Sequence, residues 1–164
     1  MRHWALATAA LALSAAPSTA SDEELSESAF EGHVLGQLGC QADPDPTLTL
    51  LFLVKHERIR LDGGDKIDSE TCWAIKPDLR LAGAGFSEIC ASAEDPVLIE
   101  KFPQLYWRGP GTSAGTGLRL VTAMSLDQTR EWAKRTLGDG PYQVDHASWQ
   151  EGKTEISCNN LSRK

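Results

Sequence analysis

The chain has 164 residues, a formal net charge of −7 and 41% hydrophobic residues. That length suits one domain around a single core. An acidic balance argues against nucleic acid and anionic membrane as partners, because both recruit Lys and Arg to displace counterions; it suits a basic protein partner, or plain solubility.

The first residues carry the clearest signal. Met1-Arg2-His3 is a short basic start, and Trp4 to Leu13 is an apolar or small run broken only by Thr8. Ser14-Ala15-Ala16-Pro17-Ser18-Thr19-Ala20 then places small residues at the positions that a cut after Ala20 requires. A basic start, a short apolar run and an A-x-A-like end predict a secretory signal peptide over residues 1–20. The run is about half of the ~20 residues needed to span a bilayer. An uncleaved anchor or a buried helix is the bland alternative. No cysteine lies near the cut, so no lipid attachment is expected there, and no membrane insertion is expected after cleavage. The remaining 21–164 reads as one globular domain.

Ser21-Asp22-Glu23-Glu24 has the form of a capping box. Phe30, Val34 and Leu38 follow at helical spacing, with Leu35 beside them, so a first helix is predicted up to Gly39. Gly32 and Gly36 weaken it by about 1 kcal/mol each relative to Ala, or let another element approach. Asp43-Pro44-Asp45-Pro46 is a rigid connector. Asp45 as N-cap and Pro46 at the first helical position predict a second helix through Leu48, Leu51, Phe52, Lys55 and Ile59. The run Leu50 to Val54 is apolar on every side, which also fits a buried strand; Pro46 favours the helix. Asp62-Gly63-Gly64-Asp65 ends this unit.

Short segments rich in apolar and β-branched residues come next: Thr71 to Ile75, Asp78 to Leu81, Gly85 to Ala93 and Leu118 to Ala123. They read as strands punctuated by Gly and Pro. Ser125-Leu126-Asp127-Gln128 is a second capping box, followed by Trp132, Ala133 and Leu137 on one face and Gly138 as a stop. Tyr142 to Asp145 and Thr154 to Cys158 read as final strands joined across Glu151-Gly152. The expected fold is α+β, an antiparallel sheet with two N-terminal helices and one later helix, in the order α-α-β-β-β-α-β-β.

All four cysteines, Cys40, Cys72, Cys90 and Cys158, lie after the leader. An even count in an exported chain predicts disulfides, with three pairings open. Cysteine zinc sites bring ligands as close pairs about two to four residues apart, and these cysteines are widely spaced with no histidine nearby. No metal and no cofactor is expected. The preferred pairing is Cys72–Cys90, closing a short β unit, and Cys40–Cys158, tying the N-terminal helices to the last strand.

Leu105 to Gly117 is the most unusual stretch. Leu105-Tyr106-Trp107-Arg108 leads into Gly109-Pro110-Gly111-Thr112-Ser113-Ala114-Gly115-Thr116-Gly117, where four glycines exclude regular structure. Loops of this kind are often functional, and Tyr, Trp and Arg dominate binding hot spots. Tyr106, Trp107, Arg108, Gly109, Gly111, Thr112 and Ser113 are therefore the candidate binding residues. The bland alternative is a long connection with Trp107 tucked into the core. A phosphate loop is a remote alternative, since no Lys-Ser/Thr pair follows the last glycine and Leu118-Arg119-Leu120 reads as a strand.

Catalytic signals are weak. Asp145-His146-Ala147-Ser148 holds the three residue types of a hydrolytic triad, but on a strand His146 and Ser148 would face away from Asp145. His33 and His56 lie on helices, the latter in the charged patch Lys55-His56-Glu57-Arg58; a metal site made by these two and His146 is a remote alternative. A glycosidase pair could be drawn from Asp65, Asp68, Glu70 or Glu88, as in any acidic chain. Among the tryptophans, Trp132 is expected in the core and Trp73 against the Cys72 disulfide, while Trp107 and Trp149 are candidates for exposed contacts. The leading expectation is a small periplasmic or secreted binding protein without catalytic activity, acting by protein–protein contact with an envelope protein as an inhibitor or immunity-type protein does. A glycan or peptidoglycan module on the same aromatics, and a hydrolase using His146, are the alternatives. Oligomeric state is not legible.

Overall fold

The computed structural model describes residues 25–110 and 114–162. The expected leader, the Ser21 capping box, and Gly111, Thr112 and Ser113 lie outside these residues. The elements in chain order are α1 (Glu27–Leu38), α2 (Thr47–Lys55), a 3-10 turn (Leu61–Gly63), β1 (Asp65–Ile67), β2 (Glu70–Leu81), β3 (Ala84–Ser92), α3 (Pro96–Lys101), β4 (Gly117–Thr122), α4 (Leu126–Leu137), β5 (Gln143–His146) and β6 (Thr154–Asn159). The strands form one six-stranded sheet in the order β1-β2-β3-β4-β6-β5, antiparallel throughout. This is the α+β architecture expected from the sequence, with β1 and α3 added.

Strand alternation separates the two faces of the sheet. Trp73, Ile89, Leu120, Ile156 and Val144 share one row across five strands. They belong to the core, which α1, α2 and α4 cover with Phe30, Val34, Leu38, Leu50, Leu53, Trp132 and Ala133. The next row, Cys72, Cys90, Arg119, Ser157 and Gln143, points to the opposite face. Trp73 therefore lies in the core and not on the Cys72 disulfide, because consecutive strand residues face opposite ways.

The helices follow their local chemistry. In α1, Phe30, Val34 and Leu38 are buried at the expected spacing. Gln37 is buried beside them, donating to the carbonyls of Asp43 and Asp45 and accepting from the Thr49 hydroxyl, which ties the connector to α2. Of the two helical glycines, only Gly36 sits against a neighbour: a Cβ there would lie 3.3 Å from that of Ala42, while Gly32 has open space. Helix α2 begins at Thr47, one residue later than expected, with the Asp45 carboxylate still accepting from the Thr47 N–H at 2.9 Å. In α4 both arms of the Ser125/Gln128 capping box are made, and Gly138 stops the helix at φ 75°.

Besides β1, two features differ from the expected elements. The segments 71–75 and 78–81 form one strand, β2, whose register against β3 shifts between Ala74 and Leu79, around the cis Lys76–Pro77 bond. Helix α3 forms after Asp95-Pro96, where the Asp95 side chain accepts from the Val97 N–H. This repeats the Asp-Pro signature of α2.

Both expected disulfides are present, Cys40–Cys158 and Cys72–Cys90, with sequence separations of 118 and 18 residues. A fold stapled twice belongs in an oxidising compartment outside the cytoplasm. Among the described residues no helix is long and apolar enough to cross a membrane. The loop-entropy model assigns about 3 kcal/mol to the shorter loop and about 4.7 kcal/mol to the longer. Urea unfolding of the Cys40→Ala/Cys158→Ala variant is therefore expected to show the larger loss of stability, and that of Cys72→Ala/Cys90→Ala the smaller.

Candidate functional site

The stretch that follows α3 is held at three points. Leu105 and Tyr106 are buried in the core. The Tyr106 hydroxyl lies 2.6 Å from the Thr47 hydroxyl and donates to Asp45 Oδ1 at 3.3 Å. Burial pushes this hydroxyl well above the ordinary tyrosine range, so it stays protonated as a donor. Further along, Gly109 is pressed onto the β1–β2 turn: a Cβ would lie 2.0 Å from the Asp68 carbonyl oxygen, so only glycine fits. At the far end the Thr116 N–H donates to Asn160 Oδ1, its carbonyl accepts from the Asn160 N–H, and its hydroxyl accepts from the Glu94 N–H.

Between these anchors Trp107 and Arg108 are exposed. Trp107 keeps 38% of its surface open, with Lys66 Nζ 4.3 Å from its ring centroid. Of the expected binding residues, then, Tyr106 and Gly109 hold the loop, and Trp107 and Arg108 are what it presents. Trp107 is not tucked into the core.

The loop adjoins an apolar groove. Leu48, Leu51 and Phe52 of α2 face Leu98 and Phe102 of the α3 segment across a cavity of about 760 Å³. Asp45 and Thr47, the partners of Tyr106, line the same cavity. Four large apolar side chains are exposed among the described residues, Leu51, Val97, Trp107 and Leu161. The first three belong to α2, α3 and the loop. This accounts for the all-round apolarity of α2: Leu50 and Leu53 fill the core, and Leu51 and Phe52 line the groove.

The far face of the sheet gathers the charges. Arg119 Nη1 and Nη2 bridge Glu155 at 3.0 Å and Glu70 at 3.2 Å, with side-chain exposures of only 21%, 13% and 12%. Trp149 lies over the guanidinium, 5.1 Å from centroid to Cζ, and its Nε1 donates to Glu88 at 2.9 Å; Gln150 donates to the other Glu88 oxygen. Trp149 thus closes a polar network instead of standing exposed. Burial is the main cause that holds the Glu70 and Glu155 carboxyls above the ordinary carboxylate range, against the pull of Arg119.

Two expected carboxylates, Glu70 and Glu88, thus reach one face, while Asp65 is the first residue of β1, opposite Cys72, and Asp68 follows β1. Asp145 and His146 point to opposite faces of β5, and Ser148 sits in the turn beyond; among the described residues no hydrogen bond links the three. His33 and His56 lie on and just after the helices that cover the core face, and His56 stacks on Phe52 at 4.2 Å between centroids. Glu70, Cys72 and Cys90 bring ligand atoms within 4.8 Å of one another. Both sulfurs are committed to a disulfide and are not thiolates, so this set is no metal site as it stands. Comparison with known protein families, with curated proteins and with solved structures gives no match to this chain.

The raised carboxyls predict a pH dependence. The folded state holds these two protons at a higher pH than the unfolded chain does, so their contribution is greatest in acid and is lost as pH rises through the raised values. Lowering pH from about 7 to about 5, the edge of the ordinary Glu range, should raise the urea midpoint of the wild type more than that of Glu70→Gln/Glu155→Gln. Parallel curves for the two proteins would contradict the assignment.

Proposed function

We propose that this chain is a non-catalytic binding protein of the cell envelope, exported by its leader to the periplasm and acting by protein–protein contact. The observation that carries this reading is the clustering of exposed apolar surface. Leu51 lines the groove between α2 and α3, Val97 is exposed on α3, and Trp107 is exposed on the loop that Tyr106 ties to the groove residues Asp45 and Thr47. Concentrated apolar exposure of this kind marks interaction sites. The rigid presentation of Trp107 and Arg108 adds to it. Trp107 and Arg108, set between the fixed Tyr106 and Gly109, lose little freedom when a partner covers them, and pre-organisation of this sort is a main source of affinity.

Trp and Arg, the two residue types that this stretch exposes, are also those that supply most binding energy at protein interfaces. The net charge of −7 favours a partner with basic residues around the contact. An inhibitor or immunity-type protein, which works by covering a surface on another protein, matches this combination of small size, disulfide staples and an anchored aromatic loop.

The test is a pull-down from an envelope extract with the oxidised domain as bait and Trp107→Ala/Arg108→Ala as control. A protein retained by the wild type should be lost from the variant. Against the purified partner, Trp107→Ala alone should weaken binding by about thirtyfold or more, the ~2 kcal/mol that marks a hot spot. A partner held equally by both baits would overturn the assignment of the loop.

A further inference from the structure

A second site lies at the other end of α2, where the chain crosses to the sheet. Glu57 turns the backbone at φ 54°, and the Lys76 N–H donates to the Arg58 carbonyl at 2.9 Å, laying the segment 58–60 beside β2. This encloses a pocket of about 220 Å³ lined by Arg58, Arg60 and Lys76, with Trp73 and Ala74 in its wall and Glu57 as its one carboxylate. Three cations around one small cavity stand out in a chain of net charge −7.

Arg58 and Lys76 have no carboxylate partner among the described residues, and Arg60 has one. Arg58 donates through Nη2 to the carbonyls of Pro77 and Asp78 at 2.6 and 3.1 Å, which are neutral acceptors. Arg60 pairs with Asp62, but the two side chains are 81% and 72% exposed. Arg60 forks onto Asp62 through Nε and Nη2 at 3.1 and 2.9 Å, so an incoming anion must share this guanidinium or displace Asp62 from it. Lys76 makes no ion pair among the described residues.

The wall has a second property. Trp73 is 1% exposed, and its Nε1 has no hydrogen-bond acceptor; Arg58 Nε is also buried without one. Buried N–H donors are almost always satisfied in folded proteins, and those that are not call for a missing acceptor. Trp73 Nε1 is moreover packed against Gly64, where a Cβ would fall 2.5 Å away, so no protein side chain can enter from that side. Trp73 and Arg58 both line the pocket, and each has a buried N–H without an acceptor.

We propose that the pocket between Arg58, Arg60, Lys76 and Trp73 binds a phosphate-class oxyanion. Its volume is below the ~300–1,000 Å³ of sites for drug-sized ligands, so it takes the free anion or the phosphate group of a larger molecule whose remainder stays outside. Guanidinium forks match phosphate oxygens in geometry, and a lysine adds a point charge. The site is separate from the groove and the Trp107 loop, and it stands whether or not a protein partner is found.

The experiment is an NMR titration of the oxidised protein at constant ionic strength. The indole N–H signal of Trp73, identified by its loss in Trp73→Phe, is the reporter. Inorganic phosphate and glycerol phosphate are the probes, and chloride is the control. The expected result is a saturable shift of that signal with either phosphate probe and none with chloride. Response to inorganic phosphate assigns the free anion, and response to glycerol phosphate alone assigns a phosphate monoester. Arg60→Gln and Lys76→Gln, both at exposed side chains, should each weaken binding about tenfold, the loss of one charged hydrogen bond, and leave the remaining spectrum in place. An absent shift, an equal shift with chloride, or an undiminished affinity in both variants would overturn the proposal.

Discussion

The cross-strand row Trp73–Ile89–Leu120–Ile156 is the constraint on which the helical side of this molecule rests. These four side chains are almost completely buried, and together with Phe86 and Leu118 they form the dry surface onto which α1, α2 and α4 pack. Because alternation is strict, placing this row inward forces Cys72, Cys90 and Arg119 outward. A shift of one residue would exchange the two sets in the strand concerned, exposing Trp73 if it fell in β2 and burying Arg119 in the core if it fell in β4. The two disulfides then act on an arrangement that the core has already selected.

The outward face meets a different problem. Arg119 stands at the centre of the sheet, between β3 and β6, where water has limited access. Its charge is tolerated because Glu70 and Glu155 reach it from either side and Trp149 lies across it. Desolvating three charges is costly, and the Coulombic return is only partial. The raised carboxyls are the visible sign of that imbalance. Removing Arg119 would leave two buried carboxylates facing each other, a worse state than the present one.

Function is read from what the core does not consume. The stretch Leu50 to Val54 has more apolar side chains than one helix face can bury against a sheet. The surplus, Leu51 and Phe52, forms a groove with Leu98 and Phe102, and Tyr106 links that groove to the loop bearing Trp107 and Arg108. The charged patch following α2 is used in a separate way, by being folded back against Lys76 of β2. Apolar groove and cationic pocket are thus built on one short helix and its exit, the first proposed here for a partner's surface and the second for an anion.

The sequence by itself determined the element types wherever local chemistry was decisive. The capping box at Ser125, the stop at Gly138, the Asp45-Pro46 start of α2 and the short apolar strands all act within a few residues, so their effects are legible along the chain. Element order favoured one of the three cysteine pairings, and the structure selected it. Helix α3 was legible too, in Asp95-Pro96, but its six residues carry too little periodicity to draw notice. The tertiary structure alone decided which neighbours each side chain met. Trp107 and Trp149 look alike in sequence, each in a polar or Gly-rich setting, yet one is presented to solvent and the other closes over Arg119. Glu70 and Glu155 lie far apart in the chain and share one guanidinium, as Arg58 and Lys76 share one pocket. Those outcomes depend on strand register and on turns between distant segments, which fix distances that no local pattern encodes.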